Sequence, residues 1–261
     1  MAGGRWLAAL NLLIYLYILA PILIVAAIAF SGTESVAFPP ATYSLRWFGK
    51  FLGERELMSS LGLSVALALV SSGASLVLGT LAAFGLVRGA MPGRTAVMNA
   101  LMSPLMVPAL VTGISFLQYF ALLGVPSLPA LFLGHTVITL PYVVRTIAAS
   151  LENFDIELEH AAVSLGADRL AAIRKVTLPM LANSVAAAVL FSFIVSFENL
   201  PVALFLSDPF SVTLPMRIYS YIEWVFDPTV AAASAIQVVV VVVLVLVVER
   251  LVGVSRLIAL R

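Results

Sequence analysis

The sequence predicts an all-α membrane protein with six transmembrane helices. Composition is the first sign: 62% of the 261 residues are hydrophobic and only 10% are charged, where soluble domains run about 45–50% apolar and about 25% charged. Mean hydropathy is +1.12. The second sign is run length. The apolar stretches are about 20 residues long, the span of a helix across lipid, rather than alternating ten-residue strands. The third is where the cations fall. With the amino terminus inside, Arg5, Arg88, Arg94, Arg145, Arg169, Arg174, Lys175, Arg250, Arg256 and Arg261 lie on the inner side. Arg46, Lys50, Arg55 and Arg217 are then left outside. An excess of Lys and Arg marks the cytoplasmic side, so both termini are expected there.

The first span is expected at 7–30, behind Arg5 and Trp6. Its core is too long for a cleaved signal peptide, whose apolar region runs about 7–15 residues. A polar segment, 31–56, comes next. Within it, PPATYSLRWFGKFL (39–52) mixes aromatic and basic residues, as a short interfacial helix does. The second span is expected at 58–87, where Ser75, Gly79 and Ala83 recur every four residues as a small-residue face for close helix contact. The third, 95–123, holds Pro104 and Pro108. Such backbone breaks survive in lipid only when buried in protein or beside water; these two mark either a gate or a packing kink. The fourth span, 130–149, contains Pro141. The fifth, 180–206, contains Glu198 and Pro201. A polar loop, 207–228, leads to the sixth, 229–248. Its valine run favours strands in water, but an isolated strand cannot satisfy its backbone in lipid, so helix wins. One domain, 1–261, is expected.

The longest polar interruption in the second half is ENFDIELEHAAVSLGADRLAAIRKVTLP, 152–179. Leu158, Ala161, Ala162 and Leu165 follow helical spacing and form one narrow stripe. Gly166 stands where a left-handed helix end is expected. Asp168 can cap a second helix that carries Leu170 and Ile173. Thr177-Leu178-Pro179 is expected to end the unit, because proline disfavours helical geometry in the residue before it. The result is two short amphipathic helices joined at a glycine corner.

This stretch resembles the cytoplasmic coupling motif of ABC importer permeases: Glu-Ala-Ala, three residues, Gly, nine residues, Ile, one residue, Leu-Pro. Ala161, Ala162, Gly166, Leu178 and Pro179 fall in register, while His160 replaces the usual glutamate and Val176 the usual isoleucine. Glu159, next door, could partly substitute for the missing acid. The segment 39–52 and the stretch SFENLPVALFLSDPFSVTLPMRIYSYIEWVFDPTVAAAS also resemble the spermidine/putrescine permease group. The resemblance implies the type I importer fold and a transport subunit rather than an enzyme, in a bacterial inner membrane. It also implies two ATPase subunits, a second homologous permease chain and an external solute-binding protein. ATP and magnesium would be held by the ATPase partners, and no cofactor by this chain. Polyamine is the expected solute; iron, opines and phosphonates are alternatives in the same broad group.

Chemistry-bearing residues are few. No phosphate-binding GxxxxGK[ST] loop is present, cysteine is absent, and no base stands beside a nucleophile. Net charge of +1 gives no sign of a nucleic-acid partner. Glu198 is the acid well inside a span, where such a group usually faces a cavity or a partner. With Asn199 it either lines the path of a cationic solute, or it is hydrated near the span's end or bonds a neighbouring helix. His135 reads as an interfacial residue, and Trp6, Trp47 and Trp224 as interfacial anchors. A secondary transporter would more often show inverted repeats and several embedded charges.

Overall fold

The computed structural model describes residues 3–89, 91–224 and 227–252. Arg256 and Arg261 of the expected inner set lie outside them, as does the Arg5 side chain. Among the described residues the chain is helical, with one isolated bridge pairing Ser31 and Tyr43. Four helices are long and apolar enough to cross a membrane alone, and six spans result if each of two bent helix pairs counts as one.

The helices, in order, are α1 (Gly3–Ala29), α2 (Arg46–Gly53), α3 (Arg55–Arg88), α4 (Arg94–Met106), α5 (Ala109–Leu122), α6 (Ser127–Glu152), α7 (Glu157–Ser164) and α8 (Arg169–Ala172). A π-turn, Ile173–Thr177, leads into α9 (Leu178–Met180), α10 (Ala182–Phe197) and α11 (Leu200–Leu206). The chain closes with α12 (Leu214–Trp224) and α13 (Thr229–Val252). The expected third span is therefore not one rod. It breaks at Val107–Pro108, and α4 and α5 meet at 105°. Pro108 removes a ladder donor and forces Val107 into extended backbone, ψ 134°. Pro104 is tolerated inside α4. The fifth span also breaks, at Glu198–Asn199, and the loop expected at 207–228 contains α12.

Two compact units emerge. One comprises the chain up to Ser59 with Arg217–Val242, the other Ser60–Met216 with the chain from Val243 on. In the first, Ala29, Trp47, Ala231 and Ala232 form a buried cluster. Trp47 is 5% exposed and its indole donates 2.7 Å to the Ser31 carbonyl. It is therefore a core residue rather than the expected interfacial anchor: α2 lies on its apolar side, which carries Trp47 and Phe51 inward. Trp6 and Trp224 are exposed.

Lys50 fastens α2 to the start of α13. Its ammonium donates 2.7 Å to Asp227, whose other oxygen accepts from the Thr229 amide at 2.8 Å. Its hydrogen bonds to Asp227 and Tyr221 hold the Lys50 ammonium well above its ordinary 10.5. Burial pushes the Asp227 carboxyl up, but Lys50 and Thr229 outweigh it and hold it below its ordinary 3.8. The Asp227 contribution is thus present above pH 3.8 and lost as pH falls through the depressed value. The Lys50 contribution is present below 10.5 and lost as pH rises through the raised one. Lys50 is 38% exposed, so solvent screening limits the pair to about 0.5–1 kcal/mol. Amide-exchange protection of α2 is expected to be flat between those pH values and to drop in acid. Asp227→Asn should lower it at neutral pH and erase the acid limb; an unchanged acid limb would show that another group sets it.

In the second unit α6 is the central post. Half of its spanning window is buried, against 6% for α1. One cluster joins Leu131 and Ile138 to Leu67 of α3, Phe120 of α5 and Val202 of α11. A second joins Val143, Ile147 and Leu151 to Ala83 of α3 and Leu181 and Ala188 on the α10 side. The small-residue face of α3 makes the close approach. Ser75 is fully buried and its hydroxyl lies 2.9 Å from the Thr136 carbonyl and 2.6 Å from Thr139 Oγ1. At Gly79, four residues on, the helices are closer still: an added Cβ would lie 2.7 Å from Val143 Cγ1. Lipid tails are as apolar as the helices, so this van der Waals contact, more than water exclusion, joins them.

His135 also lies in this unit, and not at an interface. It is 1% exposed, with Nδ1 2.9 Å from Ser196 Oγ across the α6–α10 contact. Three residues before the Ile138 of the core cluster, it shares α6's inward face.

Candidate functional site

The connector between α6 and α10 is built by local rules. Asp155 Oδ1 accepts from the Glu157 amide at 3.0 Å and starts α7. The helix ends when the Gly166 amide reaches back to Val163 O at 2.9 Å, and the Ala167 amide to Ala162 O at 3.1 Å. Gly166 sits at φ +95°, a conformation that glycine alone adopts cheaply. Asp168 then caps α8, accepting from the Ala171 amide at 2.6 Å. The corner and the cap are the expected ones.

The end of the unit is not. Thr177 and Leu178 are both helical (φ −66°, ψ −54°; φ −60°, ψ −42°), and the backbone runs on through Pro179 to Met180. The reason is the π-turn. The Leu178 amide bonds to Ile173 O, one residue further back than in an α-helix. The wider turn moves the preceding carbonyls off the line along which a proline ring collides with them. Pro179 then occupies a first-turn position of α9, where its missing N–H costs little. The true corner comes at Leu181, where the two helical stretches meet at 67°.

The motif residues divide by direction. No residue of α7 is buried. Leu158 is 39% exposed, Leu165 89% and Leu170, on α8, 73%. Ala161 and Gly166 are exposed beside them, while Ala162 and Val176 are half-buried and Leu178 and Pro179 are at the surface. The apolar stripe thus points away from its own chain. His160 shares the exposed side, with Nδ1 3.4 Å from Glu157. Glu159 turns the other way. Only 16% exposed, it accepts from Arg88 at 3.3 Å and from the Thr177 hydroxyl. It does not stand in at the surface for the glutamate that His160 replaces. Between α7, α8 and the end of α3 lies an open cleft of about 700 Å³, with Phe84, Arg88, Glu159, Arg169 and Ile173 on its walls.

At the other break, Glu198 is the C-terminal cap residue of α10 and is exposed, and the Asn199 side chain accepts from the Val202 amide at 2.9 Å to start α11. Asn199 therefore has a structural task at the break. Gly113 of α5 lets α11 approach: a Cβ there would lie 2.7 Å from the Pro201 carbonyl oxygen.

Two bent helix pairs, the central α6 and a two-armed connector with an outward leucine face are the features that set the chain's class. The family model for the binding-protein-dependent transport system inner membrane component matches residues 75–255. The chain belongs to that family, and is a multi-pass component of the inner membrane. It is 31% identical over 239 residues to the putrescine transport system permease protein PotI of Escherichia coli K12, covering 88% of this chain and 85% of that protein. It is 30% identical to the spermidine/putrescine transport system permease protein PotC of the same strain, covering 85% and 84%. A probable molybdenum ABC transporter permease of Haloferax volcanii is 31% identical over 63% of this chain and 64% of its own. Among solved structures, a bacterial ABC transporter that imports the acidic polysaccharide alginate superposes with TM-score 0.74 at 17% identity, covering 95% of this chain and 96% of that one. The inward-facing MetNI methionine ABC transporter gives 0.62 at 19% identity, covering 77% and 98%. The fold is that of ABC importer permeases.

Proposed function

We propose that this chain forms part of the solute pathway of an ATP-driven importer for a polyamine such as putrescine or spermidine. Its connector docks on a separate ATPase subunit. Two such ATPases, a second homologous permease chain and an external solute-binding protein complete the assembly, and ATP and magnesium are bound by the ATPases. The observation that carries the docking reading is the outward stripe of Leu158, Ala161 and Leu165, with Leu170 beyond the glycine corner. An exposed apolar patch of this kind, rimmed by charge, marks a protein contact. Glu157, His160, Asp168 and Arg169 supply that rim. ATP-driven closure of the ATPases would then move the connector and rock the bundle between outward-open and inward-open forms.

The polyamine reading rests on the two Escherichia coli relatives and on Glu198, a carboxylate at the α10–α11 break that would attract a cation. In proteoliposomes holding the full set of subunits, labelled putrescine should accumulate only with ATP present. Excess spermidine should compete and molybdate should not. Competition by molybdate would instead favour the oxyanion chemistry in the name of the Haloferax volcanii relative. Glu198→Gln is expected to lower putrescine uptake about tenfold, the loss of ~1.4 kcal/mol of attraction. Uptake at the parental level would remove Glu198 from the path.

A further inference from the structure

We infer that the Glu159 carboxylate, clamped between Arg88 and Thr177, is the positioning group through which load on α7 reaches the bundle. The inference rests on the docking reading above and adds the element that transmits the force.

Three separate parts of the chain meet at one oxygen. Arg88 Nη2, on the last turn of α3, donates to Glu159 Oε1 at 3.3 Å. The Thr177 hydroxyl donates to the same oxygen from the last residue of the π-turn. Thr177 is fully buried. A helical threonine ordinarily bonds a carbonyl of its own preceding turn; this one bonds across to α7 instead. The Arg88 guanidinium also lies over the Phe154 ring, 5.3 Å from its centre, at the entry to the connector. One arginine therefore touches the start of the connector and, through Glu159, its far end.

Among the described residues, no other side-chain hydrogen bond or ion pair ties α7 to another element. The helix buries no residue, its Leu158 faces outward, and the open cleft separates it from the end of α3. Apolar packing cannot carry a pull applied to such a helix. A charge-assisted bond at a 16%-exposed carboxylate can. With the clamp closed, α7, the π-turn leading to α10 and the end of α3 move as one body. With it open, α7 can tilt on its glycine corner while α3 and α10 stay behind.

The test uses Glu159→Gln, which keeps shape and loses charge, and the exchange Arg88→Glu with Glu159→Arg. On the purified chain in detergent, amide exchange over 157–164 should quicken about tenfold in Glu159→Gln. In the assembled transporter the same variant should keep its ATPase but move about tenfold less solute per ATP hydrolysed. The exchanged pair should recover most of both. Exchange and solute-to-ATP ratio at parental values in Glu159→Gln would overturn the clamp. So would a loss that the reversed pair leaves uncorrected. Thr177→Val keeps the test open if the charge variants fold poorly, because it removes one donor and leaves the ion pair; it should show the same two changes at smaller size, and their absence counts against the clamp. If instead no ATPase assembles with the parental chain, the docking reading fails, while the exchange experiment still decides the clamp.

Discussion

Gly166→Val is expected to separate ATP hydrolysis from transport. The glycine holds φ +95°, and a Cβ there would meet nothing within 4 Å. The cost is therefore conformational and not a clash. Forcing an L-residue into left-handed backbone costs about 1–2 kcal/mol, and a β-branched side chain is the worst choice there. The chain escapes that cost by turning the corner differently, which swings Leu158 of α7 relative to Leu170 of α8. The core is untouched, so the variant should reach the membrane in normal amount. Solute movement should fall at least about tenfold, a loss of ~1.4 kcal/mol of productive engagement, while the ATPases go on hydrolysing. Gly166→Asn, which enters the left-handed region more readily, should keep most of the transport. Transport at the parental level in Gly166→Val would count heavily against a mechanical role for the connector.

The second large effect is on the fold itself. Gly79→Leu should prevent α3 from closing on α6. Its Cβ alone would sit 2.7 and 2.8 Å from Val143 Cγ1 and Cβ, and 3.3 Å from the Val144 backbone nitrogen. A valine packed at zero exposure has no vacant rotamer space, and the helix backbone cannot give way. Overpacking of this kind costs about 3 kcal/mol, a large share of a domain's ~5–15 kcal/mol. The readout is the melting temperature and the monodisperse fraction in detergent. Gly73→Leu on the same helix is the control, because a Cβ there meets nothing within 4 Å. Equal behaviour of the two variants would show that the α3–α6 contact is not the limiting one.

Hydropathy made the long helices legible. An apolar run of about 20 residues has one low-energy state in lipid, and α1, α3, α6 and α13 lie where such runs stand. Local chemistry made the connector's corner legible, since Gly166 and Asp168 act within a few residues of themselves. The breaks were half-visible. Pro104 and Pro108 announced a disturbance, but a 105° bend depends on what receives the two arms. Direction along the chain's faces was not legible. Trp47 and His135 look interfacial by position, yet each faces a partner distant along the chain: Ser31 for the indole, Ser196 for the imidazole. Glu159 and Arg88 are 71 residues apart, so no local pattern pairs them. The only signal was that Glu159 lies one position off the exposed stripe. The π-turn left no trace at all, because it answers a strain between proline and register and not a residue preference.

That widened turn fixes a rotational phase. Each residue added to a helix rotates the downstream chain by about 100°, and the Leu178 amide spans one residue more than usual to reach Ile173. Rewinding 173–177 at ordinary α pitch, with no residue removed, would push one residue into the next turn and spin α10 by more than a quarter revolution against everything upstream. Ala188 would leave its cluster with Val143 and Ile147 of α6, and the Ser196 hydroxyl would swing away from His135. The pitch of this one coil keeps the lever and the helix it feeds in mesh.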